Sequence, residues 1–72
     1  MRGRTTDDLV RIAAAGGGFL LEASGRTTDD LIRIAAAASA KRAPLRFRGM
    51  NARTTDDLVR IGAASGGCVM FE

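Results

Sequence analysis

Apolar residues recur along this chain in two rhythms, one helical and one extended, and the pair of rhythms is repeated three times. Leu9, Ile12 and Ala13 fall at i, i+3 and i+4, and Val10 and Ala14 widen the stripe, so this segment predicts an amphipathic helix. Gly16, Gly17 and Gly18 stop it, and the short run Phe19-Leu20-Leu21-Glu22-Ala23 reads as a strand. In the middle of the chain the helical pattern runs on through Ala38, Ser39 and Ala40 to Lys41 and Arg42. Those cations suit a helix C-terminus, and Pro44 forbids further helix. Leu45-Arg46-Phe47-Arg48 then alternates with a period of two, the mark of a strand with one buried and one wet face. In the last third, Ser65, Gly66 and Gly67 precede the run Cys68-Val69-Met70-Phe71-Glu72.

The three helical segments are nearly the same sequence. Residues 4–15 read RTTDDLVRIAAA, residues 26–37 RTTDDLIRIAAA and residues 53–64 RTTDDLVRIGAA, with ten of twelve positions identical. The starts lie 22 and 27 residues apart, giving repeat units 4–25, 26–52 and 53–72 within one domain spanning 1–72. In each unit the Thr pair supplies an N-cap. Thr5 with Asp8, Thr27 with Asp30 and Thr54 with Asp57 resemble a capping box with Asp in place of Glu. The aspartates of the first turn face the positive end of the helix dipole. Asp7 and Arg11, four residues apart, are expected to pair on the helix surface.

Successive strands separated by a helix pair in parallel, with crossovers of one hand. The predicted fold is therefore α/β: a parallel three-stranded sheet in the order 1-2-3, all helices on one face, as in a fragment of a solenoid. Phe19-x-Leu21-x-x-Ser24 and Leu45-x-Phe47-x-x-Met50 look like the strand signature Leu-x-Leu-x-x-Asn. The helical residues Leu31, Ile34, Ala35, Leu58 and Ile61 are spaced to match. In these features the chain resembles the leucine-rich repeats, and that resemblance implies the same layered architecture. It departs from the family in lacking the ladder asparagine, Asn51 falling one position late, and in not being dominated by leucine. Because members of that family bind unrelated partners, the resemblance implies no particular ligand.

Size bounds what such a chain does. A domain of 72 residues buries only roughly 60% of its unfolded surface, so it calls for unusual packing or self-association. With one cysteine, Cys68, and no histidine, neither an internal disulfide nor a tetrahedral zinc site can be built. The chain is 46% apolar and 26% charged, as globular domains are. It has no apolar run of the ~18 residues a membrane span needs, and Met1-Arg2-Gly3-Arg4 opens no signal peptide. An unpaired cysteine fits a reducing compartment, so a cytoplasmic location is expected.

Catalysis is not expected, nor is a cofactor. Cys68 has no histidine to activate it, and in an apolar strand a buried thiol is inert. The Asp-Asp pairs point about 100° apart on a helix, too divergent for a calcium shell, so no metal is expected. The Arg-Thr-Thr at each helix start offers N–H groups to a phosphate, but two aspartates in the same turn repel an anion. A capped helix with a solvated arginine is the expectation there.

Two functions follow. The first is protein interaction or assembly, with the chain itself (as a homodimer) and a further protein as partners. Leu20, Val69, Met70 and Phe71 are the candidate residues. Leu20, Val69 and Phe71 are expected on the helix-free face, with Phe19, Leu21 and Met70 turned inward. An uncovered parallel edge recruits another strand, and two chains meeting across a two-fold axis would double the sheet. The second is nucleic-acid or polyanion binding. Residues 26–52 carry six basic residues against two acids, while the flanking units are each net negative. The excess is local: Lys41, Arg42, Arg46 and Arg48. Glu22 is expected to neutralise part of it by pairing with Arg46 or Arg48 across the sheet.

Overall fold

The computed structural model describes residues 5–50 and 53–71; Arg2, Arg4, Asn51 and Glu72 lie outside the described residues. The elements alternate as expected: α1 (Thr6–Ala14), β1 (Phe19–Glu22), α2 (Thr28–Lys41), β2 (Leu45–Arg48), α3 (Thr55–Ser65) and β3 (Val69–Phe71). The strands form a parallel sheet in the order β1-β2-β3.

Each helix begins where its threonine hydroxyl replaces the missing turn. Thr5, Thr27 and Thr54 are extended, and their Oγ1 atoms accept from the N–H groups of Asp8, Asp30 and Asp57 at 3.1, 3.2 and 3.1 Å. α2 and α3 end at left-handed caps, Arg42 and Gly66, while α1 is capped by Ala15 in the right-handed region and turns at Gly16, whose φ of 95° glycine adopts freely. After α1 the Gly16 N–H reaches the Ala13 carbonyl and the Gly17 N–H the Ile12 carbonyl, both at 3.0 Å. After α2 the Arg42 N–H reaches Ser39 and the Ala43 N–H reaches Ala38, so the same double closure is made without glycine. Pro44 then aims the chain into β2, where its carbonyl accepts from the Phe19 N–H at 3.1 Å. The chain needs glycine opposite. A Cβ on Gly18 would lie 2.6 Å from Pro44 Cγ and 2.9 Å from its Cδ.

The pleat sends alternate strand residues to opposite faces. Leu21, Leu45 and Phe47 are buried under the helices with Leu9, Leu31, Ile34 and Ile61, and small residues (Ala13, Ala35 and Ala38) let the layers approach closely. The other face carries Leu20 and Glu22 of β1, Arg46 and Arg48 of β2 and Met70 of β3, all exposed.

The register of β3 corrects one expectation. Val69 is paired with Leu45, and Phe71 with Phe47, so both lie on the helix side; Met70 pairs with Arg46 and lies on the open face. The assignment of Val69 and Phe71 to the helix-free face is therefore reversed, as is the inward placement of Met70. The physical cause is nonlocal. The Leu45 N–H donates to the Cys68 carbonyl at 2.9 Å, which locks the phase of the last strand to β2. The strand is also shorter than its apolar run, since Cys68 precedes it.

Candidate functional site

Three surfaces carry the residues singled out in the sequence. The first is the open face. Leu20, Arg46 and Met70 form one row across the three strands, and Glu22 stands beside Arg48 in the next. Leu20 is 43% exposed and Met70 61%, so this row presents two apolar side chains on either side of a cation. Arg46 and Arg48 are both engaged within the chain. The Glu22 carboxylate lies over Gly49, where an added Cβ would meet its Oε2 atom.

The second is a groove of about 430 Å³ at the start of the strands. Phe19, Pro44, Cys68 and Met70 give it apolar walls, and Arg42 and Arg46 give it charge. The structure thus brings two of the four predicted basic residues to one groove. Lys41 stands apart beside Gly16, and Arg48 lies at the far end of β2. Cys68 is half-buried rather than buried, and its Sγ donates to the Ser65 carbonyl at 3.0 Å.

The third surface is the seam between neighbouring units, which sequence reasoning passed over. The Arg26 Nη1 atom donates to Thr6 Oγ1 at 2.9 Å, and Arg53 Nη1 donates to Thr28 Oγ1 at the same distance. Each arginine therefore reaches back from the start of its own unit to the first helical residue of the unit before. Arg53 adds Nη2 bonds to the carbonyls of Ala23, at 2.9 Å, and Arg26. These side chains are half-buried, so the expectation of solvated arginines, and with it the vacant phosphate cradle, gives way to a bonded clasp. On the outer helix surface a second ladder runs the same way, from an arginine to an aspartate of the unit before. Arg33 Nη2 lies 2.9 Å from Asp7 Oδ1, and Arg60 Nη2 lies 3.9 Å from Asp29 Oδ1. The pairing expected within α1, Asp7 with Arg11, is replaced by this bond to the next helix. Arg33 also keeps a looser i,i+3 contact of 4.0 Å with Asp30.

A signal for the seam was present in the sequence. The polar residues Arg, Thr, Thr, Asp, Asp at the helix starts are as identical among the three copies as the apolar ones that follow them. An interface made repeatedly with the same donors and acceptors requires that identity, because each residue type has to serve the unit on either side.

Among the described residues no helix is long and apolar enough to cross a membrane. Comparison with protein-family models, with curated proteins and with solved structures finds no match to the chain.

Proposed function

We propose that the protein is a small interaction and assembly module that self-associates through the uncovered edge of its sheet or the helix-free face. The observation that carries this reading is the set of apolar side chains outside the core. Met70 is 61% exposed, Val59 62%, Leu20 43% and Phe71 38%. Lone exposed apolar residues are ordinary, but Leu20 and Met70 share one row of the sheet, and Phe71 lies on the strand at its edge. A parallel edge strand leaves a line of backbone donors and acceptors that another strand satisfies. A chain this short gains proportionately from covering such surface.

Molar mass by light scattering across a dilution series, at low and high salt, tests the reading. Assembly that persists at high salt is expected, because apolar burial and backbone pairing are little screened. A folded monomer at every concentration overturns it.

A second reading, binding of nucleic acid or another polyanion, draws on Arg42 and Arg46 lining one groove. It ranks second because Arg46 and Arg48 already have partners in the chain. It predicts steeply salt-dependent binding of unspecific DNA or RNA, lost on reversing Arg46 and Arg48 to Glu. Absence of binding at low salt ends it.

A further inference from the structure

The two flanks of the molecule are unlike each other, and each resembles one half of the seam made inside the chain. On the leading flank, the isoleucine of the inner stripe is completely buried in the second and third units, as Ile34 and Ile61, but only half-buried in the first, as Ile12. Ala37 and Ala64 pack partly against the core, whereas the corresponding Ala15 is exposed. Corresponding residues differ because the second and third units have a unit in front of them.

The trailing flank has the converse pattern. Leu9 and Leu31 are buried but Leu58 only partly so; Val10 and Ile32 are half-buried, whereas Val59 is 62% exposed. Thr6 and Thr28 are half-buried under the arginines they bind, and Thr55 is exposed. The charges follow. Asp7 and Asp29 are paired with Arg33 and Arg60 of the following unit, which leaves Arg11 on the leading flank and Asp56 on the trailing flank without an ion-pair partner among the described residues.

From this complementarity we infer that copies of the chain stack head to tail, the α1 flank of one on the α3 flank of the next. The occupant of each flank is a second copy. Arg11 of one chain then meets Asp56 of the other as Arg33 meets Asp7. Ile12 and Ala15 close over Leu58 and Val59, and β1 extends the sheet beyond β3. The inference rests on the self-association reading and replaces a two-fold arrangement with a polar one. Like flanks meeting across a two-fold axis would set Arg11 near Arg11 or Asp56 near Asp56, whereas unlike flanks set a cation against an anion. A contact between unlike patches does not stop at two chains: it closes into a ring or grows as a filament.

Two variants and their mixture test this by light scattering, with circular dichroism as the check on folding. Val59→Asp blocks the trailing flank and Arg11→Asp the leading one; both positions are exposed, so the fold is expected to stand. The unaltered chain is expected to exceed a dimer, each variant alone to be monomeric, and an equimolar mixture to form dimers only. In that mixture one intact leading flank meets one intact trailing flank. A dimer of the unaltered chain that both substitutions leave intact overturns the head-to-tail arrangement while the assembly reading stands. Variants that stay monomeric when mixed overturn it as well. An unaltered chain that is monomeric throughout overturns both.

Discussion

Arg42 ends α2 with φ of 54°, the one described residue other than glycine in the left-handed region. Such a backbone costs an L-residue about 1–2 kcal/mol, and glycine gives back part of that through its freer unfolded chain. Arg42→Gly is therefore expected to stabilise the protein by up to about 1 kcal/mol, read as a higher midpoint in thermal unfolding. The arginine at this costly position lines the groove, where its charge is available to a ligand. Gly18 is the opposite case. Its place against the ring and carbonyl of Pro44 leaves no room for a methyl group. Gly18→Ala is expected to force β1 away from β2 and to cost about 1–3 kcal/mol, as overpacking does; denaturant unfolding measures it.

Between elements, the arginine clasp and the aspartate ladder differ in worth. The ladder pairs are exposed, Arg33 and Asp7 having 56% and 79% of their side chains in solvent, so each contributes no more than a surface ion pair does. Arg53 is half-buried and binds three acceptors, Thr28 Oγ1 and the Arg26 carbonyl on the preceding unit and the Ala23 carbonyl at the end of the first, all spanned by its planar fork. Arg53→Ala is expected to cost about 2–3 kcal/mol, in the range of hydrogen bonds to charged groups. Arg53→Lys should recover less than half of it, because an ammonium on a flexible stem cannot reproduce the fork. Chemical denaturation of the two variants side by side checks both statements. A lysine variant as stable as the parent would mean that charge alone holds the units together.

At the scale of the molecule, stability rests on one thin core. Phe47 is fully buried on the central strand, beneath the helices and between Leu21 and Phe71 on its neighbours. Phe47→Ala is expected to cost about 3–5 kcal/mol, enough to unfold much of a domain of this size and to abolish its helical circular dichroism. Met70 lies one strand away on the open face and is mostly exposed, so Met70→Ala should change stability by less than about 0.5 kcal/mol. An effect of Met70→Ala on molar mass without one on stability would mark the open face as a contact surface. The groove beside it, with apolar walls and Arg42 and Arg46 at its rim, lies next to that row.

The local chemistry of the chain was legible in its residues. Thr-Thr-Asp-Asp marks three helix starts because a hydroxyl and an N–H three residues apart must meet there. Gly16, Pro44 and Gly66 mark the ends because few backbones continue a helix through them. Leu45-Arg46-Phe47-Arg48 declares its buried and wet faces by alternation, and strand–helix–strand order makes the sheet parallel. All of these are decided within a few residues of one another. Tertiary structure decided what depends on partners distant in sequence: that β3 takes the phase in which Val69 and Phe71 face the helices, that Asp7 prefers Arg33 to Arg11, and that Arg26 and Arg53 bind the unit behind them. A residue with two chemically equal partners, one a turn away and one across a seam, is assigned only when packing fixes the distance to both.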